Sequence, residues 1–307
     1  MVRSTLKTPP RGAALVLAML IAAFAAVVAV AVAAEQQRWF SDVGNRRDQV
    51  QAQALALAGI QWARQILQDD ARSGTLDHLQ EPWAYPLPRT PLENGSIEGS
   101  IEDAQARLNI INLAKTDSLA KEERARLGRL LAARGIAPRM LDVIAASVAT
   151  PAVSAVGGTQ SIAAPPPTPL PPNLQPVRFA ELAAARGANA RDIALLGPYV
   201  VALPGATVLN VNTAPPEVLA AAITGLTDDG LAALIAERVR KPFATIADFR
   251  ARLPAGAKVA DETTLGLSSS YFVVSVRARQ GDTVAQARAL LRRDGREWPI
   301  VVWQTLE

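Results

Sequence analysis

An uncharged apolar run near the N-terminus is the feature that most constrains this chain. Residues 13–34 contain only Ala, Val, Leu, Ile, Met and Phe. As an α-helix this run would be roughly 33 Å long, enough to cross the ~30 Å hydrocarbon core of a bilayer. A cleaved secretory signal peptide would have a shorter apolar core of about 7–15 residues. The run therefore predicts one transmembrane helix.

The charges on either side of the run predict its orientation. Arg3, Lys7 and Arg11 precede it without any acidic residue, whereas acidic and basic residues balance after it. Because positive charge is retained on the cytoplasmic side, we predict a single-pass protein with a cytoplasmic N-terminus and an exported C-terminal part. Without residues 1–12 the net charge falls from +4 to +1, so the basic character does not indicate a nucleic-acid-binding surface.

The helical pattern continues beyond the apolar run. Over residues 35–72, apolar side chains recur at helical spacing among Gln and Arg residues. We predict that this amphipathic segment extends the membrane helix into one long spine; a simple juxtamembrane linker is the alternative. The apolar positions are Trp39, Val43, Val50, Ala54, Leu57, Ala58 and Trp62.

Residue types that carry catalysis or bind metals are scarce. The chain has no cysteine, which excludes disulfides, thiolate metal sites and cysteine nucleophiles. Its one histidine, His78, lies in a polar segment where a solvated side chain is expected, and no serine-hydrolase or phosphate-loop motif is present. The acidic pairs 69–70, 122–123 and 228–229 lie near predicted helix ends, where capping and solvation explain them. We therefore predict no enzymatic activity and no cofactor.

Strand patterns begin and end the part of the chain that follows the spine. Alternating apolar and polar residues predict a strand over 96–103, after a proline-rich loop. Three more strands are predicted over 270–279, 283–293 and 298–305, separated by turn residues, and the chain between is helical. We therefore predict an α+β fold, in which a long N-terminal helix packs on an antiparallel sheet and a large all-α domain is inserted between strands.

Two similar asparagine-containing segments introduce successive helical stretches. Asn109 and Asn112 precede the first, and Asn210 and Asn212 precede the second, where Thr213 is a candidate N-cap. We expect Asn210 and Asn212 to order the second turn by bonding to backbone groups. The two segments lie about a hundred residues apart and form an internal repeat within the helical part of the chain.

The start of the chain resembles the leader of type IV pilin-like proteins. A short basic leader ends in Arg11-Gly12 and is followed directly by the apolar helix at Ala13. In that family a prepilin peptidase cuts after the glycine on the cytoplasmic side, which implies that Ala13 becomes the first mature residue. Pilins carry glutamate at the fifth mature position, which here is Leu17. The K-type minor pseudopilin of type II secretion systems characteristically lacks that glutamate.

The rest of the chain resembles the same K-type family. Its members have an N-x-N-N-L stretch, a helical domain of two similar halves, an N-V-N-T-A stretch and final strands. Here the first stretch is 109–113, where Ile111 departs from the pattern, and the second, 210–214, is intact. The resemblance implies a structural minor pseudopilin at the tip of the type II secretion pseudopilus. Such a subunit initiates assembly of the pseudopilus for export of folded proteins across the outer membrane.

The resemblance also implies location, partners and domains. It places the protein in the bacterial inner membrane with a periplasmic C-terminal domain. Its partners would be the I- and J-type minor pseudopilins, the major pseudopilin and the prepilin peptidase, without nucleic acid. The implied segments are a leader (1–12), a transmembrane helix (13–34), its amphipathic continuation (35–72), the first part of the sheet (73–111), the helical insertion (112–266) and the C-terminal strands (267–307).

One region departs from the family pattern. K-type members usually carry an acidic, tyrosine-rich loop associated with calcium binding, whereas residues 150–176 are rich in proline and contain no carboxylate. Calcium requires about six to eight oxygen ligands, several of them charged. We therefore predict an exposed, semi-extended loop that does not support the family's calcium site.

Two alternatives remain open. Residues 210–249 also resemble the helix-hairpin-helix module of membrane-anchored DNA-uptake receptors, which binds phosphates through backbone N–H groups of a glycine-rich hairpin. Here the hairpin spans 223–230 and contains Asp228 and Asp229, which would repel phosphate. The other alternative is a minor subunit of another type IV pilus-like system.

Overall fold

One long helix and one sheet organise the computed structural model, which describes residues 11–149, 179–184 and 187–307. The predicted leader lies mostly outside these residues, and the predicted loop at 150–176 lies wholly outside them. In chain order the elements are α1 (Arg11–Ser73), β1 (Leu87–Leu92), β2 (Gly95–Asp103), β3 (Leu108–Asn109), α2 (Ser118–Ala133), α3 (Arg139–Ala149), α4 (Ala190–Leu196), β4 (Val200–Val201), β5 (Leu209–Asn210), α5 (Pro216–Ala222), α6 (Asp228–Arg240), α7 (Ile246–Ala251), β6 (Leu265–Gly266), β7 (Tyr271–Gln280), β8 (Thr283–Arg292) and β9 (Ile300–Leu306).

Helix α1 is the one helix among the described residues that is long and apolar enough to cross a membrane. Every described side chain from residue 14 to residue 47 is exposed, and burial begins only in the C-terminal part of the helix. The helix ends where Gly74 N donates to the Asp70 carbonyl and the Ser73 hydroxyl bonds to the same oxygen. The apolar half and the packed half are thus one continuous spine.

Five strands form one antiparallel sheet in the order β1-β2-β7-β8-β9. β2 pairs with β7 along its whole length, and the register ends with Asp103 opposite Phe272. The helical region therefore lies between two strands that are direct neighbours in the sheet. The predicted strands at 96–103, 270–279, 283–293 and 298–305 correspond to β2, β7, β8 and β9.

Strand β1 lies in a segment that was predicted to be a loop. Pro88 and Pro91 cannot donate backbone hydrogen bonds, but an edge strand needs partners on one side only. β1 pairs with β2 alone, with an irregular register between Leu87 and Thr90. The loop prediction is wrong because proline is tolerated at a sheet edge.

The C-terminal half of α1 packs on one face of the sheet through small and aliphatic side chains. Gly59 allows the closest approach, because a Cβ at this position would lie 2.7 Å from Cγ1 of Val276 on β7. The buried positions of the helix are Ala52, Ala56, Ile60, Ala63 and Leu67.

The apolar residues whose spacing predicted the helix are not the ones that pack on the sheet. Trp39, Val43, Val50 and Trp62 are 48–65% exposed. The alanine-rich face makes the contact instead, because small side chains let the helix backbone approach the sheet closely. Hydrophobic spacing identified the helix but not the face that it buries.

The helical region has its own hydrophobic core, separate from the core between α1 and the sheet. It is not purely helical, which corrects the all-α prediction. β3 pairs in parallel with β4, and β5 pairs in parallel with β6. Each asparagine segment therefore begins with a Leu-Asn strand that binds a strand from later in the chain.

N-terminal caps explain where several of these helices begin. Asp117, Thr227 and Thr245 each accept a hydrogen bond from a backbone N–H in the first turn of α2, α6 and α7. The cap prediction for Thr213 is wrong. α5 begins after Pro215 without a side-chain cap, and the Thr213 hydroxyl is engaged elsewhere.

Candidate functional site

The sheet and the helical region meet at a buried polar junction. The chain leaves the sheet at Asp103, the last residue of β2, and returns through Ser269 to β7. Asp103, Ser269 and Asn210 are each at most 5% exposed. Because buried polar groups need hydrogen-bond partners, such a junction has one well-defined geometry.

The Asp103 carboxylate is the centre of this junction. It accepts hydrogen bonds from the Ser269 hydroxyl at 2.6 Å, from the Thr213 hydroxyl, from Asn210 Nδ2 at 3.0 Å and from Gln105 N at 2.7 Å. One side chain thereby connects the outgoing chain, the returning chain and the second asparagine segment.

Asn210 extends the connection to the end of the spine. Its Nδ2 donates to the Asp77 carbonyl at 3.2 Å and to the Ser269 hydroxyl at 3.0 Å, while its Oδ1 accepts from Asn212 N at 3.0 Å. The last bond orders the local turn, as predicted. The bonds to Asp77, Asp103 and Ser269 cross between the two parts of the molecule and were not predicted.

Arg293 closes the junction from the end of β8. Its Nη1 lies 2.7 Å from Asp70 Oδ2, and its Nη2 lies 2.5 and 2.7 Å from the two oxygens of Asp77. The guanidinium also donates to the Ser269 carbonyl at 2.9 Å and lies over the Phe272 ring. This single side chain joins the last turn of α1, the following loop and the sheet.

Burial raises the pKa of two carboxyl groups at the junction, Asp103 and Asp70. It raises the pKa of Asp103 to about 6, against the opposing hydrogen bonds from Ser269 and Thr213. Burial also raises the pKa of Asp70 to about 6, with a contribution from the nearby charge of Glu81, while Arg293 acts in the opposite direction. These groups therefore titrate close to neutral pH.

Three carboxylates of the junction have the spacing of a metal site. One oxygen from each of Asp70, Asp77 and Glu81 lies within 4.8 Å of the others. The Arg293 guanidinium already binds two of them, and Glu81 accepts a hydrogen bond from Trp83 Nε1 at 2.8 Å. Because the guanidinium supplies the compensating positive charge, the cluster is an ion-pair network.

The first asparagine segment forms a second buried network, inside the helical region. Asn109 Nδ2 donates to the Gly205 carbonyl at 2.8 Å, and its Oδ1 accepts from Leu203 N at 3.2 Å. Asn112 and the Thr207 backbone bond reciprocally at 2.9 and 3.1 Å. This segment fastens the loop before β5 and does not reach the sheet through these bonds.

A buried carboxylate also lies beside the first asparagine segment. Burial raises the pKa of Glu123 to about 7, while the charge of Arg126 and hydrogen bonds from Asn112 and from the Asn109 backbone oppose the shift. Arg126 is fully buried and reaches Thr264 near the end of the helical region. The capping prediction for Glu122 and Glu123 is wrong, because both are buried in α2.

The remaining candidate residues from the sequence are Leu17, the processing positions 11–13 and His78. Leu17 is exposed on α1. The first three residues of this helix are Arg11, Gly12 and Ala13. His78 is half-buried, with 24% of its side chain exposed, so the expectation of a solvated histidine is wrong. Burial lowers its pKa.

The hairpin considered for DNA binding has an acidic helix start. Asp228 and Asp229 occupy the first turn of α6, and the Thr227 hydroxyl accepts from Gly230 N. This hydrogen bond satisfies a backbone group that a phosphate would need, and the two carboxylates oppose an anion there.

Two family models match the helical region. Both are described as type II secretion system (T2SS), protein K; one matches residues 106–205 and the other residues 209–268. Each matched range begins close to one of the two asparagine segments.

Curated relatives align over nearly the whole chain. Type II secretion system protein K of Klebsiella pneumoniae is 32% identical over 311 aligned positions, covering 95% of each protein. The chain belongs to the type II secretion system protein K family. Protein K of Pectobacterium carotovorum subsp. carotovorum is 28% identical over 320 positions, covering 96% of each protein. The predicted family is confirmed.

A solved structure shows the same fold. A chain in the crystal structure of the GspK-GspI-GspJ complex from the enterotoxigenic Escherichia coli type 2 secretion system superposes with a TM-score of 0.67 at 22% identity. The match covers 87% of this chain and 99% of that chain. The predicted pilin-like α+β fold is confirmed, apart from the short strand pairs in the helical region. Membership of the protein K family makes the chain a minor pseudopilin of type II secretion.

The junction residues Asp77, Asp103 and Arg293 were missed by reasoning from the sequence. One signal was present: Ile97, Ile101 and Asp103 share the parity of the inward face of β2. A charged residue at an apolar position of a strand indicates a buried partner. The partners themselves come from distant segments, so their identity could not be inferred.

Proposed function

We propose that this chain is the tip subunit of the type II secretion pseudopilus and initiates its assembly with the I- and J-type minor pseudopilins. The observation that carries this proposal is where the helical region leaves the sheet. Asp48 of α1 lies against the β7–β8 turn at Gly281, and Asp70 lies at the other end of the sheet against Arg293. The helical region emerges at the Arg293 end, which lies roughly 33 Å farther along α1 than Asp48, on the side away from the apolar segment.

This placement suits an end position in a filament. A helical region held rigidly at the membrane-distal end by Asp103, Asn210 and Arg293 would obstruct a subunit stacked directly above it. It projects freely when no subunit lies above. The proposal therefore assigns one copy to the end of each pseudopilus.

Leu17 supports the same position. In a bundle of apolar helices, the terminal amine of one subunit is an unpaired charge that costs several kcal/mol unless a carboxylate compensates it. A subunit added beneath another would supply that carboxylate at the fifth mature position, and Leu17 cannot. A subunit with nothing above it has no such requirement.

The proposed partners follow from the family and from the leader. The solved GspK-GspI-GspJ complex supports contact with other minor pseudopilins. The Arg11-Gly12-Ala13 sequence and the apolar helix support processing by a prepilin peptidase and anchoring in the inner membrane, with residues 1–12 in the cytoplasm. We extend the proposal to the major pseudopilin, which would lie beneath this subunit, and include neither nucleic acid nor calcium at residues 150–176.

The leader can be tested by intact-mass analysis of the membrane-extracted protein. We expect the mature chain to begin at Ala13. Gly12→Asp should leave the precursor uncut, because bulk and charge at the scissile bond obstruct the peptidase, whereas Gly12→Ala is the matched small, uncharged control. A mature N-terminus beyond Ala34, or normal processing of Gly12→Asp, would contradict the proposal.

The end position can be tested by immunogold labelling of pseudopili. We expect about one label per pilus, at its end, and co-purification of the I- and J-type subunits. Labels along the shaft at intervals like those of the major subunit would contradict the tip assignment. Leu17→Glu should not convert the protein into a shaft component, because the obstruction by the helical region remains.

A further inference from the structure

Two adjacent aromatic side chains follow the apolar segment of α1. Trp39 and Phe40 lie five and six residues beyond Ala34, which is about 7.5–9 Å along a helix. The headgroup layer of a bilayer adds roughly 5–7 Å on each side of the hydrocarbon core. If the apolar run fills the core, the backbone of the two residues lies just beyond this layer. Side chains on a helix lean toward its N-terminus, so the two rings reach back to the outer edge of the layer.

Both rings are exposed to solvent in the part of the chain that the structure describes. Trp39 is 62% and Phe40 is 64% exposed, and they contact each other edge to face with centroids 5.4 Å apart. Successive helix positions differ by about 100° in direction, so the pair covers two faces of α1. A partner helix would cover one face, whereas a lipid headgroup layer surrounds the helix. The geometry therefore favours lipid as the occupant.

The charges around the pair suit the same environment. Glu35 and Arg38 form an ion pair on the turn between the apolar run and the aromatic rings, with Arg38 Nη1 3.5 Å from Glu35 Oε2. The turn therefore brings no net charge into the layer. Polar residues, among them Asp42 and Arg46, resume directly after the pair.

We propose that Trp39 and Phe40 form an aromatic collar that binds the headgroup layer of the bilayer and sets the height of the folded part above the membrane. Aromatic side chains with a polar group, tryptophan above all, concentrate at membrane interfaces because one end is apolar and the other can be hydrated. Asp48, where α1 first reaches the sheet, lies eight residues beyond Phe40. The collar thus holds the sheet about 12 Å above the headgroups.

The inference rests on the proposed membrane anchoring, and quenching by brominated lipids tests it in the full-length protein. Trp39 is one of five tryptophans, and the other four lie beyond Asp48 in the folded part, out of the short range of bromine quenching. Lipids brominated near the headgroup should quench up to the share of one tryptophan in five. Lipids brominated near the chain end should quench less, and Trp39→Phe should abolish the effect.

The outcomes separate the collar from the anchor. Protein that resists alkaline extraction from vesicles but shows no quenching of Trp39 would overturn the collar and leave the anchor intact. Protein released by alkaline extraction would contradict the anchoring itself. Quenching that is lost when other pilin-like subunits are reconstituted alongside would mean that protein occupies this surface, and would also overturn the proposal.

A second measurement tests the height. The chain has no cysteine, so Gly44→Cys can carry a single nitroxide at an exposed position with no neighbour within 4 Å of its Cβ. In Trp39→Ser/Phe40→Ser the label should shift in its oxygen-to-nickel accessibility ratio, because the helix is no longer held at one depth. Val43→Ser/Val50→Ser is the matched control. Equal ratios in all three backgrounds would overturn the collar.

Discussion

The two asparagine segments have the same local structure but bind different parts of the molecule. Leu108-Asn109 and Leu209-Asn210 each form a two-residue strand that pairs in parallel with a later strand, and each lies beside a buried carboxylate. Asn109 binds the loop before β5, within the helical region. Asn210 binds Asp77, Asp103 and Ser269, and so ties the helical region to the sheet and the spine.

The difference shows that a repeated motif determines the local turn but not the residues that its side chains bind elsewhere in the fold. In both segments the asparagine Oδ1 accepts from the backbone N–H two residues later, as in Ile111 and Asn212. The amide Nδ2 is left free to donate, and what lies opposite depends on where the segment falls in the fold. The second segment lies beside Ser269, through which the chain re-enters the sheet, so its amide is part of the junction.

The largest expected effect comes from removing the positive charge of Arg293. This side chain binds Asp77 and Ser269, which are also partners of Asn210. Arg293→Met leaves Asp70 and Asp77 without their buried counter-charge, which should lower the free energy of unfolding by about 3–5 kcal/mol. Arg288→Met, on the exposed face of the same strand, is the control and should change it by less than about 0.5 kcal/mol. Denaturant unfolding in detergent measures both, and similar losses would mean that the network contributes little.

Truncating the asparagines tests the comparison directly. Asn210→Ala and Asn109→Ala should each cost about 2–3 kcal/mol, because each leaves several buried groups unpaired. Hydrogen exchange should separate them: Asn210→Ala should raise exchange in residues 74–81 and 267–271, and Asn109→Ala in residues 203–208. If both variants raise exchange in the same segments, the two networks are not independent.

The carboxylates of the two segments should make stability depend on pH. Asp103 and Glu123 have pKa values raised to about 6 and about 7 by burial. Through these two groups the folded protein binds more protons than the unfolded chain between pH 4 and 7, so stability should increase as pH falls from 7.5 to 5. The lowered pKa of the single residue His78 acts in the opposite direction. Each group contributes at most about 3 kcal/mol.

Conservative variants assign this pH dependence. Asp103→Asn should remove the part of the slope below about pH 6, and Glu123→Gln the part closer to pH 7. Asp70, whose pKa is also raised to about 6, adds a slope of the same sign. Thermal unfolding at a series of pH values measures the slopes. A midpoint that falls steadily from pH 7.5 to 5 would contradict the sign.

The smallest expected effect is the difference in unfolding free energy between two threonine variants, one in each network. Thr213→Val removes a hydroxyl that donates to the buried Asp103 carboxylate and should cost about 1.5–2 kcal/mol, since bonds to charged groups are stronger. Thr207→Val removes a neutral acceptor of Asn109 Nδ2 and should cost about 0.5–1 kcal/mol. Equal costs, measured by denaturant unfolding, would mean that charge does not distinguish the two networks.

Much of the fold could be predicted because its signals are local. The apolar run, the strand alternation at 96–103 and the turns around Gly281 and Gly295 each depend on neighbours in the sequence. The helix N-caps at Asp117 and Thr245 also depend only on residues close by in the sequence. The edge strand β1 was missed because proline is excluded only where a strand has neighbours on both sides.

The sequence by itself determined the order of the elements, the long spine and the family, since these follow from periodicity, turn residues and motif order along the chain. Tertiary structure alone decided which face of α1 is buried, because close approach selects Ala52, Ala56 and Gly59 over the bulkier exposed residues. It also decided the junction. Asp103, Asn210 and Arg293 are far apart in the sequence, and a buried polar group takes whichever partner the packed chain brings within hydrogen-bond distance.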